Sequence, residues 1–282
     1  FPYTTLFRSV KALDRAMTDF RDDLYDVLVT APINSQNAFI EGFAFKGHKH
    51  YIETCLGEGK KGLSILVGDT LRIASVTEKL PLKEVAAQIT AERIVEKATL
   101  FQQTIKRDFN ISNPRIAVLA LNPKNNEETS CGNEEKEIII PAIDELAGKG
   151  VQAFGPYPAD DFFGNGDFRE FDGVLAMYHD QATAPFKSIN DGRGVIYTAG
   201  MPVIRTSADI TPGYEIAGTN TADESAFRNA VYLAIDTFRY RSSYDEACEN
   251  PLPKLFHEKR DDSEKVRFAI PKKKADSPEA KR

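Results

Sequence analysis

No apolar run in this 282-residue chain approaches the roughly 20 residues that a helix needs to cross a bilayer, so no membrane partner is expected. Basic residues are not in surplus either. The 36 Lys and Arg against 42 Asp and Glu leave a formal net charge of -6 and a pI near 5.4. That balance offers little with which to neutralise a phosphate backbone, and nucleic acid is excluded as an expected partner. Cysteine is scarce: Cys55, Cys131 and Cys248 are odd in number and widely spaced, which argues against a disulfide framework and points to a reducing cytoplasm. No G-x-G-x-x-G nucleotide fingerprint is visible. No glycine-serine linker divides the chain, and no internal repeat of useful length appears. The opening FPYTTLFRS has neither the long apolar region nor the small-residue cleavage site of a secretory signal. It joins a helical pattern abruptly, and residues 1–9 are expected to be foreign to the fold.

What is present is a large apolar reserve, 41% of residues, with 28% charged, enough for a sizeable core in one large domain or two lobes. Strand-like apolar runs occur at Asp26 to Ile33, Leu63 to Val67, Leu71 to Val76, Arg115 to Leu121, Val151 to Phe154, Gly173 to Tyr178, Gly194 to Thr198 and Val203 to Thr206. Most are too apolar to have a wet face. Helical patterns lie between them at Val10 to Arg21, His48 to Leu56, Leu82 to Phe109, Glu134 to Ala147 and Glu224 to Tyr240. Buried strands alternating with helices predict an α/β fold with a largely parallel sheet covered on both faces. The charged segment 260–282, with Lys272, Lys273 and Lys274, is expected to be a mobile tail.

In such sheets ligands bind beyond the carboxyl ends of strands. His179, Asp180 and Gln181 fall just past the run Gly173 to Tyr178, and Lys187 follows eight positions after the histidine. Taken alone, a His-Asp pair there is explained as well by His179 capping the strand end and Asp180 fixing a turn as by a site. Residues 30–34, 121–126 and 205–209 add three more polar, turn-rich strand exits, and the loops are expected to converge on one edge. His48 and His50 open a helical pattern two residues apart, so their side chains should not share a face. His257 lies in a charged region and is given no catalytic part.

The strings LVTAPIN, FKGH, RIAVLALNP, FGPYPAD, FDGVLAMYHDQ, APFK, TAGMPVIRTS and YEIAG, in this order and spacing, resemble the 4-hydroxythreonine-4-phosphate dehydrogenase family of vitamin B6 biosynthesis. The resemblance runs roughly from Val10 to Asn250. It implies a two-lobed α/β/α fold like that of isocitrate and isopropylmalate dehydrogenases, here over residues 10–259. Chains of the family ordinarily begin with a further stretch that includes an early strand and a glycine-containing loop, so the fold is expected to be incomplete at its amino terminus. The resemblance also implies a homodimer whose active site borrows residues from the second subunit. The implied reaction is oxidation of the secondary hydroxyl of 4-phosphooxy-L-threonine by NAD or NADP, followed by loss of carbon dioxide. A divalent metal such as zinc, magnesium or cobalt, held by three histidines, polarises the hydroxyl in the family. The family binds its cofactor without an ordinary Rossmann half, and no cofactor-binding residue is assigned.

Carried over position by position, the resemblance makes His179 a metal ligand. The other two ligand positions hold Lys79 and Lys124, and a protonated lysine has no lone pair to give. The substrate motif G-H-T reads Gly47-His48-Lys49, while Lys187 and Arg205 match the substrate-binding lysine and arginine. A substrate-binding asparagine is replaced by Ile196, the D-H-G-T loop reads Asp209-Ile210-Thr211-Pro212, and the glycine-rich stretch after position 124 reads Asn125-Asn126-Glu127-Glu128-Thr129. The cationic anchors therefore survive better than the metal site. Two further readings stand beside an active dehydrogenase: a homologue that binds phosphorylated ligands without oxidising them, and a truncated product without function.

Overall fold

The computed structural model describes residues 2–33, 45, 47–59, 61–123 and 131–252, with backbone alone for 2–8. In chain order the elements are α1 (Pro2–Arg21), β1 (Val27–Thr30), α2 (His48–Leu56), β2 (Leu63–Val67), β3 (Arg72–Ser75), α3 (Leu82–Gln88), α4 (Ala91–Asp108) and β4 (Arg115–Leu119). A π-helical turn (Glu135–Ile139) then runs into α5 (Ile140–Gly148), followed by β5 (Gln152–Tyr157), α6 (Ala159–Gly164), β6 (Gly173–Ala176), α7 (His179–Asn190), β7 (Val195–Ala199), β8 (Ile204–Ala208) and α8 (Ser225–Glu249). Each of the eight apolar runs is a strand. Lys124, the stretch 125–129, His257 and the tail 260–282 lie outside the described residues.

The strands form one sheet in the order β1-β8-β7-β2-β3-β6-β4-β5. Pairs β1·β8, β3·β6, β4·β6 and β4·β5 are parallel. Between them the pairs β7·β8, β2·β7 and β2·β3 are antiparallel. The reversals follow from chain length: residues 68–71 join β2 to β3 and residues 200–203 join β7 to β8, spans far too short for the crossover that a parallel pair requires. As a result β3, β4, β5, β6 and β7 end at one edge of the sheet, here the upper edge. Strands β1, β2 and β8 end at the lower one.

This direction pattern corrects one expectation from the sequence. The exits after β4 and β6 lie on the upper edge and those after β1 and β8 on the lower, so the four polar loops do not converge. A second correction concerns the run from Leu82 to Phe109, which is two helices and not one. Ile89 and Thr90 are extended, and the Thr90 hydroxyl accepts from the Arg93 amide at 3.3 Å, starting α4 anew as an N-cap. The third is α7: His179 opens a helix of its own, and Lys187 sits on its last turn, not on a loop.

Both sheet faces are covered. One carries the largest apolar cluster, in which Leu63, Ile65, Tyr197 and Ile204 of the sheet meet Val85, Ile94, Phe101, Ile105 and Leu146. The opposite face carries two separate clusters. Around α6 and α7, Phe162, Phe168, Ala182 and Phe186 cover Leu66, Ile73 and Val174, while around α1 and α2, Leu13, Met17, Tyr51 and Ile52 pack with Met201 and Val203. The strands β2, β7 and β8 run between these two clusters. A cleft floor results.

One buried ionic network locks the first face. Asp108, at the end of α4 and 2% exposed, accepts from Arg241 Nε at 2.8 Å, from Arg241 Nη2 at 2.9 Å and from the Tyr197 hydroxyl at 2.7 Å. Arg241 also donates to the Pro202 carbonyl at 3.0 Å, so α4, α8, β7 and the β7–β8 turn share one knot. Removing one member would leave a buried charge alone. Asp108→Ala should therefore lower unfolding free energy by about 3–5 kcal/mol. Urea unfolding at pH 7 checks this, and a loss below about 1 kcal/mol, the worth of an exposed pair, would contradict it.

Candidate functional site: a buried cation between two helical clusters

Side chains alternate along a strand. In β7, Tyr197 and Ala199 join the large cluster, and in β8 Ile204 does the same while the Thr206 hydroxyl donates to Ala230 of α8 at 2.8 Å. Ile196, Thr198, Arg205 and Ser207 must then point to the other face, onto the cleft floor. Arg205 is 5% exposed. Its Nε and Nη2 donate to the Thr30 hydroxyl at 3.0 and 2.6 Å, and its Nη1 donates to the Thr198 hydroxyl at 3.2 Å. Its Nη2 also lies 3.4 Å from His48 Nδ1. None of these partners is an anion, and burial pushes the guanidinium pKa down to about 10.

His48 reaches this cation because α2 starts at it. Gly47, at φ 124°, bends the chain into the helix through a conformation that side chains disfavour. Arginine only donates, so Nδ1 of His48 accepts and the proton of the neutral ring sits on Nε2, free to donate in turn. Burial, and then the Arg205 charge, hold the His48 pKa down at about 4. His50 is exposed, its ring 5.6 Å from that of Phe45. The two histidines do not share a face, as expected.

Lys49 turns the other way. Its ammonium meets Glu78 and lies 3.6 Å from Glu53, while the Glu53 carboxylate accepts the Gly62 amide at 2.8 Å. Glu78 immediately precedes Lys79, which is exposed. Thr77 ties this loop to the neighbouring strand exit, its amide and hydroxyl donating to the Met177 carbonyl at 3.1 and 2.8 Å. His179 follows two residues later, with Nδ1 2.8 Å from Asp180 Oδ1.

Gln181, quoted in the sequence without a role, joins the next exit: it accepts from the Met177 amide and donates to the Ala120 carbonyl, both at 2.7 Å. Glu135 then accepts the Leu121 and Asn122 amides at 2.9 and 2.7 Å. The exits of β3, β6 and β4 are thus consecutive and cross-linked. They carry Lys79 and His179, while Lys124 lies outside the described residues.

Lys187 lies on the cleft side of α7, its Nζ 3.2 Å from Asp209 Oδ2. Asp209 is four residues beyond Arg205, roughly 13 Å along an extended strand. His179 is farther away. It follows β6, four strands from β8, a lateral separation of about 19 Å at ordinary strand spacing. His48 and Arg205 are therefore brought together, Lys187 stands down the cleft from them, and Lys79 and His179 form a separate upper-edge group that Lys49 links to α2.

A three-histidine metal ion does not fit the donors present. Lys79 offers an ammonium with no lone pair, and among the described residues no group of three or more His, Cys, Asp or Glu is placed to hold an ion. Thr30 and Thr198, which hold Arg205, were not singled out from the sequence. Hydroxyls inside apolar strands were the available signal.

Residues 7–234 match the family described as pyridoxal phosphate biosynthetic protein PdxA. The chain belongs to the PdxA family. It is 50% identical over 257 residues to 4-hydroxythreonine-4-phosphate dehydrogenase of Bacteroides thetaiotaomicron, covering 91% of this chain and 71% of the relative. The Sulfurihydrogenibium enzyme of the same name is 40% identical over 233 residues, covering 83% of this chain and 71% of the relative. Among solved structures, 4-hydroxythreonine-4-phosphate dehydrogenase of Klebsiella pneumoniae superposes with a TM-score of 0.70 at 30% identity, covering 81% of this chain and 68% of that one. A terephthalate 1,2-cis-dihydrodiol dehydrogenase of Burkholderia xenovorans, at 23% identity and a TM-score of 0.61, covers 81% of this chain and 72% of that one and shares the fold.

The depressed His48 pKa makes the PdxA-family cleft pH-sensitive. The unfolded chain takes up a proton below its ordinary value of about 6.5, whereas the folded chain resists until about 4. Stability from this group is present above pH 6.5 and is lost as pH falls toward 4. Between pH 7 and pH 5 the loss should be roughly 1–2 kcal/mol. His48→Gln should remove that part of the decline in denaturant midpoints, and an identical decline in both proteins would refute it.

Proposed function

We propose that this chain is a cytoplasmic NAD(P)-dependent oxidoreductase that oxidises 4-phosphooxy-L-threonine to an amino-keto acid, which then loses carbon dioxide. The observation that carries the reading is Arg205, a buried cation whose partners are two hydroxyls and a neutral imidazole. Such a cation suits an anionic ligand, since a substrate phosphate or carboxylate would supply the charge that the fold withholds. His48 Nε2–H adds a second donor beside it. Lys187 waits down the cleft, half-exposed and held by a single carboxylate, and is free to exchange Asp209 for a substrate anion.

The bound dinucleotide supplies the hydride acceptor. Cationic chemistry suited to its pyrophosphate is present where α8 begins. Asn229 donates to the Arg193 carbonyl at 3.2 Å, and Arg193 and Arg228 both act on Asp223, whose pKa is lowered first by its bonds to Ser225 and then by these charges. The reading also includes a homodimer. One chain separates His179 from the Arg205 strand by about 19 Å, longer than a small phosphorylated amino acid, and a second copy can bring an upper-edge group to the cleft.

Lys79, at a position where the family places a metal ligand, favours a second reading in which phosphorylated ligands bind without being oxidised. One experiment separates the two: NAD reduction with 4-phosphooxy-L-threonine, with and without added zinc or magnesium, run beside thermal melts with the same ligand. The dehydrogenase reading expects NADH to appear. A melting temperature raised by the ligand with no NADH under any condition would overturn it in favour of the binding protein.

A further inference from the structure

We infer that Thr30 is a positioning residue for the anion site: its hydroxyl fixes the plane of the Arg205 guanidinium and leaves one Nη1 hydrogen for the ligand. The inference rests on the reading of Arg205 as the cation that takes a ligand anion, and it concerns what aims that cation. Thr30 ends the apolar run of β1 and is 7% exposed. A hydroxyl buried there needs a partner.

The strand register explains how the two meet. In the parallel pair β1·β8, Arg205 is level with Leu28, and Thr30 is level with Ser207. Thr30 therefore lies two positions farther along the floor, roughly 7 Å. To reach it the arginine side chain lies down along the sheet. On its other side Thr198 of β7 stands directly opposite Arg205, so the guanidinium is flanked by a hydroxyl from each neighbouring strand.

The hydrogens can be followed one by one. A hydroxyl offers one hydrogen and two lone pairs. Both lone pairs of Thr30 are taken by Arg205, from Nε at 3.0 Å and from Nη2 at 2.6 Å, and its own hydrogen is directed at the Thr206 carbonyl, 3.5 Å away. Nε and Nη2 form the side-on fork with which an arginine grips a carboxylate in two parallel bonds. Here a fixed oxygen of the fold fills it. The guanidinium has five N–H hydrogens in all. Besides the two on Thr30, one on Nη1 goes to Thr198 at 3.2 Å, and the second on Nη2 is turned to His48 Nδ1 at 3.4 Å. Among the described residues the remaining hydrogen, on Nη1, has no acceptor.

A fork closed on a buried, β-branched side chain fixes a plane, because the threonine rotamer is itself stiff. Thr30→Val keeps the shape and removes the oxygen, so the Nε edge faces a methyl group and the guanidinium is free to turn. The ligand must then order that side chain itself, which should weaken binding about five- to tenfold.

Calorimetric titration with inorganic phosphate at pH 7 tests this without any oxidation step. The wild type should bind, and Thr30→Val should show a dissociation constant raised about five- to tenfold at unchanged stoichiometry. Thr30→Ser, which keeps the oxygen, should stay within about twofold of the wild type. A merely structural role would lower the folded fraction, and so the stoichiometry, without moving the dissociation constant. Thr30→Ala leaves room for a water to accept from the fork and, if the valine chain does not fold, replaces it with an expected rise of about threefold. A wild type that binds phosphate while the valine or alanine variant binds it equally well, or a serine variant as weak as the valine one, would overturn the inference and leave Arg205 as an anion site. A wild type that binds no phosphate would overturn the anion-site reading, and this inference with it.

Discussion

Burying a guanidinium without a carboxylate costs several kcal/mol unless something else meets the charge, and that constraint at Arg205 shapes the cleft around it. Thr30 and Thr198 sit inside apolar strands because their hydroxyls accept from the arginine. The imidazole of His48 is held neutral by its burial and then by the guanidinium 3.4 Å away. Even the start of α2, fixed by Gly47 at φ 124°, has the effect of delivering that ring. The knot of Asp108, Arg241 and Tyr197 on the opposite face shows the contrast: there the buried arginine has its carboxylate, every donor is spoken for, and the arrangement is a clamp.

The antiparallel block β8-β7-β2-β3 decides what one chain can do. By reversing direction it sends Lys79 and His179 to the upper edge, while Asp209 and Lys187 sit toward the lower edge. Arg205 is left on the floor between two helical clusters. Lys49 follows His48 in sequence while touching Glu78 in space, so α2 reaches both regions. The lysine of the G-H-T motif is thereby paired with carboxylates and turned away from Arg205.

Much of this was legible in the residues. All eight strands could be read because each is a short apolar run bounded by turn residues, and α2 was read to its ends because His48 to Leu56 follows a glycine and precedes one. The break at Ile89 and Thr90 escaped because apolar periodicity continues across it, although a threonine three residues before Arg93 is an N-cap signal. Helix α7 escaped because its residues are polar and Pro185 interrupts the pattern. Strand direction was legible in principle from the four-residue links at 68–71 and 200–203, which exclude parallel neighbours. The pairing of Arg205 with Thr30, 175 residues apart, was not, since no local pattern reports which distant hydroxyl meets a charge.

Arg205 has no anionic partner among the described residues, and under the proposed function a ligand supplies one. Thermal unfolding of the wild type and of Arg205→Met, each with and without inorganic phosphate, tests it most directly. Phosphate should raise the melting temperature of the wild type alone, and the variant without phosphate should be no less stable than the wild type, because it has lost a buried charge that nothing compensated. Equal stabilisation of both proteins by phosphate, or a variant destabilised as a broken ion pair would be, would contradict it.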